Sequence, residues 1–424
     1  MSAWSRSRAR AMSWLAAPTT PYVAAIGVRT AARAVWGLAL PAALSVAAYG
    51  RYQVIATAAA MAAQLALLGI PQTIVRYVGR RLPVRLLTVH TAVLGAAAIA
   101  CALALVPTTR TPAGLAALAV MVVAVTTSTV FGARAKARFA FSTSLRAEVA
   151  GGIVLAIATV GVVTGLARTL ITPIVALLIE SLALAATAAL LWGARPAADT
   201  TLDEPSPPTR TVFGDIYSVG ALVLLDVVLL RRLEVYFLER SPDGLPGVAV
   251  LGLALQIAAV ALLVPTALLE AWQPRLALVR ATSEGAFERE LARRARQFLP
   301  IMTAVVVLGT LVPLVAVPVL FPHYGPWLAY VVAFVFIRLG SAGAGFYSAA
   351  LYATGRHRVL YAPALVGALV AVIGNASLTR TLGLRGALLA YGATQLTLAV
   401  LTVAAFYRTS PRPGPSPAPV TAVS

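Results

Sequence analysis

Residues 297–320, QFLPIMTAVVVLGTLVPLVAVPVL, form an apolar run of 24 positions without a charged side chain. A helix needs roughly 20 mostly apolar residues to cross the hydrocarbon core of a bilayer. Backbone groups in lipid must satisfy their hydrogen bonds internally, so a run of this length predicts a membrane-spanning α-helix. Similar runs recur along the whole chain, so the same argument predicts a protein with many membrane-spanning helices.

The overall composition agrees with a membrane protein. The 424 residues are 60% hydrophobic and only 11% charged, whereas ordinary globular domains are about 25% charged. The net charge of +20 does not indicate a nucleic-acid partner, because the basic residues occupy short breaks between apolar runs. The single Cys101 excludes an intrachain disulfide, and three scattered histidines suggest no metal site.

Charge, Gly and Pro divide the chain into twelve predicted spans, numbered 1 to 12 in chain order. They are 22–48, 53–75, 86–107, 113–132, 144–166, 170–193, 213–238, 246–271, 297–320, 326–350, 359–378 and 385–407. The predicted fold is all-α and integral to the membrane, with about twelve transmembrane helices in two six-helix halves. Such internal repeats are typical of alternating-access transporters.

The predicted organisation has five parts. They are a cytoplasmic tail (1–21), an N-terminal half (22–193), a Pro-rich and acidic cytoplasmic linker (194–211), a C-terminal half (212–408) and a disordered cytoplasmic tail (409–424). The first segment is interpreted as a tail that leads into a retained helix, not as a signal peptide. The stretch EGAFERELARRAR at 284–296 predicts a short amphipathic helix on the cytoplasmic surface.

The basic residues predict the orientation. Counted with Arg146 and Arg385, which lie within the first three residues of spans 5 and 12, the breaks and tails on one side of the predicted spans hold 23 Lys and Arg residues, against 6 on the other side. Cytoplasmic loops carry the excess of Lys and Arg. We therefore expect a multi-pass protein of the cytoplasmic membrane with both termini in the cytoplasm.

Ionisable side chains inside the spans are the candidate functional residues, because each costs about 2.5–3.5 kcal/mol at a helix centre on insertion scales. The candidates for substrate binding, including two polar amides, are Arg33, Arg231, Arg338, Arg29, Gln64 and Gln256, and the candidates for ion coupling are Asp226, Glu234 and Glu180. A path lined by Arg33, Arg231 and Arg338 would be net cationic. It suits an anionic substrate, because guanidinium matches phosphate oxygens pairwise and stays charged.

Each of these assignments has a structural alternative. Arg29 can snorkel to the cytoplasmic headgroups. The charged residues of span 7 can form a structural ion pair, since three of them share one side of the helix. Glu180 can be a protonated or interhelically bonded structural acid, and the two glutamines can bridge helices. No catalytic constellation and no Gly-rich phosphate loop is present in the sequence, so we expect no enzyme activity.

Several motifs resemble those of one transporter family. They are YGRYQVIATAAAMAAQLALLGIPQTIVRYVGRR at 49–81, the span 7 to span 8 passage at 231–277, ATGRHR at 353–358 and GNASLTRTLGLRGALLAYGATQ at 374–395. In order and spacing they resemble polysaccharide and oligosaccharide-lipid flippases of the multidrug/oligosaccharidyl-lipid/polysaccharide exporter (MOP) superfamily.

The resemblance implies that an undecaprenyl-diphosphate-linked oligosaccharide moves from the inner to the outer leaflet for cell-surface polysaccharide biosynthesis. It implies no cofactor beyond a proton or sodium gradient. The expected partners are the lipid-linked anionic oligosaccharide, membrane lipids, a polysaccharide polymerase and glycosyltransferases.

Two other functions stay open. One is a cation-coupled multidrug exporter of the same superfamily, which span 1 disfavours because it carries Arg29 and Arg33 but no acid. The other is a non-transporting membrane scaffold of an envelope assembly.

Overall fold

A computed structural model describes residues 19–76, 84–106, 110–137, 141–166, 169–193, 208–225, 233–266, 268–269, 272, 276, 279, 284–353 and 356–409. Within these residues the chain is helical and contains no β-strand. Nine helices among them are long and apolar enough to cross a bilayer. They coincide with predicted spans 3 to 6 and 8 to 12, and helices also lie at spans 1, 2 and 7. The predicted fold class of a multi-pass α-helical membrane protein is confirmed.

The helices have the following bounds. In chain order they are α1 (Thr19–Ala43), α2 (Val46–Leu67), α3 (Ile70–Arg76), α4 (Val84–Leu105), α5 (Pro112–Ala137), α6 (Phe141–Val163), α7 (Pro173–Trp192), α8 (Thr209–Leu224), α9 (Leu233–Leu238), α10 (Gly244–Ala261), α11 (Glu284–Leu320), α12 (Leu328–Ala342), α13 (Gly345–Ala353), α14 (Tyr361–Gly374), α15 (Arg380–Leu382) and α16 (Leu384–Thr409). Short 3₁₀ turns precede α12 and α14. A π-helical turn, Asn375–Thr379, follows α14.

Span 2 is divided, although its sequence predicts one continuous helix. Helix α2 starts at the N-cap Ser45, whose hydroxyl accepts from the Ala48 amide at 3.3 Å. It ends at Leu68 and Gly69, whose φ angles are 30° and 78°. A left-handed residue pair ends an α-helix, so α3 begins with a new direction.

Span 9 is longer than its sequence predicts. Residues 284–296 do not form a separate surface helix, because α11 runs without a break through 37 residues from Glu284 to Leu320. Phe287, Leu291 and Phe298 share one helix face and lie in the hydrophobic core or pack against it. That common face holds the segment in line with the span.

The two halves meet along one seam. Inside the N-terminal half, α1 packs on α6, and α5 and α6 pack on α7. Inside the C-terminal half, α10 packs on α12, and α14 packs on α16. The contact between the halves is made mainly by α10 against α1 and α2, with a smaller contact of α3 against α8. Groups on α1, α2 and α10 therefore lie at the contact between the halves.

Candidate functional site

A polar cluster lies inside the N-terminal half, where spans 1, 2 and 6 meet. We call Arg33, Trp36, Tyr52 and Glu180 the N-half cluster. The Trp36 indole donates a hydrogen bond to the Glu180 carboxylate at 2.9 Å, and the Tyr52 hydroxyl donates to the same oxygen. Arg33 is close enough to Glu180 for electrostatic interaction. Arg33 is exposed.

The charges of this half are balanced. Arg29 on α1 pairs with Glu148 on α6, with a nitrogen-to-oxygen distance of 3.7 Å. Glu148 also interacts electrostatically with Arg33. Two arginines thus face two carboxylates, and the net cationic path expected from the sequence does not arise from this half. Glu148, Trp36 and Tyr52 were missed by sequence reasoning, because their importance depends on contacts between distant spans.

The seam brings the halves into backbone contact at the side predicted to be external. A Cβ placed on Gly50 of α2 would lie 2.1 Å from the Leu245 carbonyl oxygen of α10. A side chain at Gly252 would meet Gln53, whose amide donates to the Tyr49 hydroxyl at 2.7 Å. Only glycine permits such an approach of two helices.

Gln256 also belongs to this seam. Its side-chain amide donates to the backbone carbonyls of Arg33 and Ala34, each at 3.4 Å. Gln256 thus connects α10 to α1, as in the structural alternative of a glutamine that bridges two helices. The same contact places Gln256 next to the N-half cluster. Gln64 lies on α2 twelve residues after Tyr52, which is about 18 Å along a helix and thus far from the cluster.

A second polar region is a cavity of about 290 Å³ inside the C-terminal half, which we call the C-half pocket. Arg338 lines it, together with Ser341, Gln395 and Thr402. The Ser341 hydroxyl hydrogen-bonds to the Gln395 side-chain oxygen at 3.0 Å. Spans 8, 9, 10 and 12 all contribute to its walls. Arg338 is thus placed in a cavity, but in a different half from Arg33.

A third group of polar side chains is buried near the predicted external end of the C-terminal half. Glu234 of α9 is 1% exposed, and Asn375 and Thr379 of the π-helical turn are fully buried. The Asn375 amide donates to the Ala371 carbonyl oxygen at 2.9 Å and interacts with the Glu234 carboxylate, and the Thr379 hydroxyl donates to the Asn375 oxygen at 2.7 Å. Within the described residues, Oε1 of Glu234 has no hydrogen-bond partner. We call these three residues the outer acidic site.

Two sequence candidates cannot be placed. Asp226 and Arg231 lie outside the described residues, as do most of the predicted linker and most of both predicted tails. Their predicted roles in ion coupling and substrate binding stay predictions. The N-half cluster, the C-half pocket and the outer acidic site together contain four of the nine candidates, namely Arg33, Glu180, Arg338 and Glu234.

Sequence comparison identifies no relative: no family model matches the chain, and neither does any curated protein. Solved structures do match it. An inward-facing multidrug resistance MATE family transporter of the MOP superfamily aligns with a TM-score of 0.62 and 20% identity, over 94% of this chain and 99% of that one. An outward-facing structure with the same description aligns with a TM-score of 0.53 and 14% identity, over 93% and 95%.

A structure of MATE in the bent conformation also aligns, with a TM-score of 0.52 and 15% identity, over 94% of this chain and 96% of that one. Identities this low establish the fold alone. The chain therefore has the fold of MATE transporters. These transporters belong to the MOP superfamily, which the motifs of this chain also resemble. The resemblance to polysaccharide-lipid flippases within that superfamily does not follow from the fold.

Proposed function

We propose that the chain is a secondary transporter that exports an amphipathic organic cation by alternating access of its two halves. The observation that carries the proposal is the likeness, over nearly the whole chain, to MATE transporters in inward-facing and outward-facing conformations. The TM-score is higher for the inward-facing structure, 0.62 against 0.53. The backbone contact between Gly50 and Leu245 supports an inward-facing conformation, because it closes the seam at the predicted external side.

The N-half cluster supports a cationic substrate. Glu180 is partly exposed and places a carboxylate beside the buried Trp36 and Tyr52, which donate to it, and a carboxylate in such a weakly polar environment attracts a cation. The sequence disfavoured such a substrate because span 1 carries no acid. Spans 5 and 6 supply the missing acids, Glu148 and Glu180, at that same place. An entering cation would compete with Arg33 for Glu180.

The coupling ion is assigned to buried carboxylates. In the outer acidic site, Glu234 keeps one oxygen without a partner among the described residues, next to the side chains of Asn375 and Thr379. Carboxylate, amide and hydroxyl oxygens are the ligands of hard cations, so a proton or a sodium ion fits there. Occupation of this site and of Glu180 would favour one arrangement of the halves over the other, which is how an ion gradient can drive transport.

One observation favours a second candidate, the flippase of an undecaprenyl-diphosphate-linked oligosaccharide. The C-half pocket combines the Arg338 guanidinium with hydroxyl and amide groups from Ser341, Gln395 and Thr402. Guanidinium suits a diphosphate, and the neutral polar groups suit sugar hydroxyls. In this case the partners would be a polysaccharide polymerase and glycosyltransferases at the cell membrane.

Transport by the purified chain in liposomes separates the candidates. A fluorescent cationic amphiphile and a fluorescent prenyl-diphosphate oligosaccharide are compared, each with a proton gradient, a sodium gradient or none. We expect gradient-driven transport of the cation, reduced at least tenfold by Glu180→Gln and preserved by Arg338→Gln. Movement of the diphosphate lipid instead, abolished by Arg338→Gln, would replace the exporter with the flippase. If neither compound moves under any gradient, both transport functions are wrong and a scaffold is favoured.

A further inference from the structure

The first third of α11 carries a stripe of arginines on its exposed face. Arg289, Arg293 and Arg296 are all exposed, and the side chain of Arg293 is 55% accessible. At 100° per residue the three fall within about 60° of one another, so they point in one direction. They rise over about 10 Å along the helix axis. Glu288 and Glu290 flank the stripe, and Glu290 binds both Arg293 and Arg294, at 2.6 and 2.9 Å.

The same helix face continues into lipid-facing residues. Val307 and Leu311 lie on the line of the arginine stripe and are 51% and 52% exposed. Large apolar side chains that stay exposed on a spanning helix contact lipid tails. The stripe therefore faces the surrounding bilayer and neither the seam nor the C-half pocket. Arg294, on another face, instead lies over the Trp272 ring at 5.0 Å.

The length of α11 places the stripe at the depth of the headgroups. Its 37 residues are about 55 Å long, whereas the hydrocarbon core is about 30 Å thick. If Leu320 lies at one boundary of the hydrocarbon core, the opposite boundary is about 20 residues earlier, close to Pro300. Arg296 then lies about 6 Å beyond the core, inside the headgroup layer. Arg293 lies at the edge of that layer, and Arg289 is about 17 Å beyond the core, within about a Debye length of the layer.

We propose that Arg289, Arg293 and Arg296 form a binding site for the phosphate of anionic phospholipids in the leaflet predicted to be cytoplasmic. Guanidinium groups bind phosphate oxygens pairwise, and three of them at this spacing can engage one or two adjacent headgroups. The acyl chains of such a lipid would lie along Val307 and Leu311, on the same face. The site is independent of the transported substrate.

Native mass spectrometry of the full-length protein in mild detergent tests the proposal. The protein is titrated with phosphatidylglycerol or with phosphatidylcholine of the same chain length. A basic residue near an anionic surface contributes about a fivefold gain in affinity. We expect preferential retention of phosphatidylglycerol, a loss of about fivefold in affinity for R289Q or R296Q alone, and retention at the phosphatidylcholine level for R289Q/R293Q/R296Q.

Three controls make the result specific. R385Q removes an exposed arginine at the opposite side of the protein and is expected to retain wild-type binding. R289K/R293K/R296K keeps the positive charge and is expected to retain most of the phosphatidylglycerol binding. Inorganic phosphate at millimolar concentration is expected not to displace the lipid; displacement, with no preference among lipids, would assign the stripe to a soluble anion and overturn the proposal. Equal retention of both lipids by the wild type, or an unchanged preference in the single variants, would also overturn it.

Discussion

Gly50→Ala tests whether the halves close against each other at the predicted external side. The added Cβ would lie 2.1 Å from the Leu245 carbonyl oxygen and 2.8 Å from its carbon. Both are backbone atoms, so rotation of a side chain cannot relieve the contact. An ordinary van der Waals distance of at least 3.4 Å to the carbonyl oxygen would require α10 to move by at least about 1.3 Å. Overpacking of this kind costs about 1–3 kcal/mol.

The cost falls on one conformation only. When the halves are apart at the external side, the added methyl group contacts no backbone atom. The substitution therefore raises only the free energy of the state in which Gly50 and Leu245 are in contact. A difference of about 1–3 kcal/mol changes the ratio of closed to open molecules by about 5-fold to 150-fold. The gain in helix propensity from Gly to Ala, up to about 1 kcal/mol, is shared by both states and does not alter their ratio.

Spin-label distances measure the shift. With Cys101→Ser as background, labels at positions 47 and 382, both exposed, report on the separation of the halves in lipid nanodiscs. We expect Gly50→Ala to increase the population at longer distance. Gly132→Ala, whose Cβ would meet nothing within 4 Å, is the matched control. Gly252→Ala should have a smaller effect, because the Gln53 side chain can move away. Identical distance distributions for the Gly50 and Gly132 variants would show that the halves do not close at Gly50.

Three further substitutions test the polar clusters through thermal unfolding. Asn375→Ala removes a buried amide that donates to the Ala371 carbonyl oxygen at 2.9 Å and accepts from the Thr379 hydroxyl at 2.7 Å, so we expect a loss of about 1–3 kcal/mol; an unchanged Tm would mean that the outer acidic site is not built as described. Trp36→Phe keeps an aromatic ring but removes the 2.9 Å hydrogen bond to Glu180 and leaves part of a buried volume empty, with an expected loss of at least about 1.5 kcal/mol. Glu148→Gln, which stays isosteric, should cost less than about 1 kcal/mol, because the pair with Arg29 is partly exposed and 3.7 Å long; a loss as large as that of Trp36→Phe would contradict this ranking.

Much of the fold was predictable from local sequence. Runs such as 297–320 specify spanning helices on their own, because lipid offers no alternative partner for the backbone. Interruptions inside the runs were less predictable. The break of span 2 has a local signal, because Gly69 takes a positive φ and Pro71 follows it, which is typical of a helix end. The π-helical turn at 375–379 contains neither Gly nor Pro and was not predictable from its own residues.

The multi-pass helical membrane fold follows from the amino-acid sequence alone, because the length of an apolar run is a local property of the chain. The sequence also singled out Arg33, Glu180, Arg338 and Glu234, since any ionisable group inside a span is costly. Which charged side chains contact each other is known only from the packing of the helices. Glu180 lies 147 residues from Arg33 in the chain and still shares a cluster with it, whereas Arg338 lies in the other half. Such pairing depends on helix rotation and packing, which spacing along one helix cannot reveal.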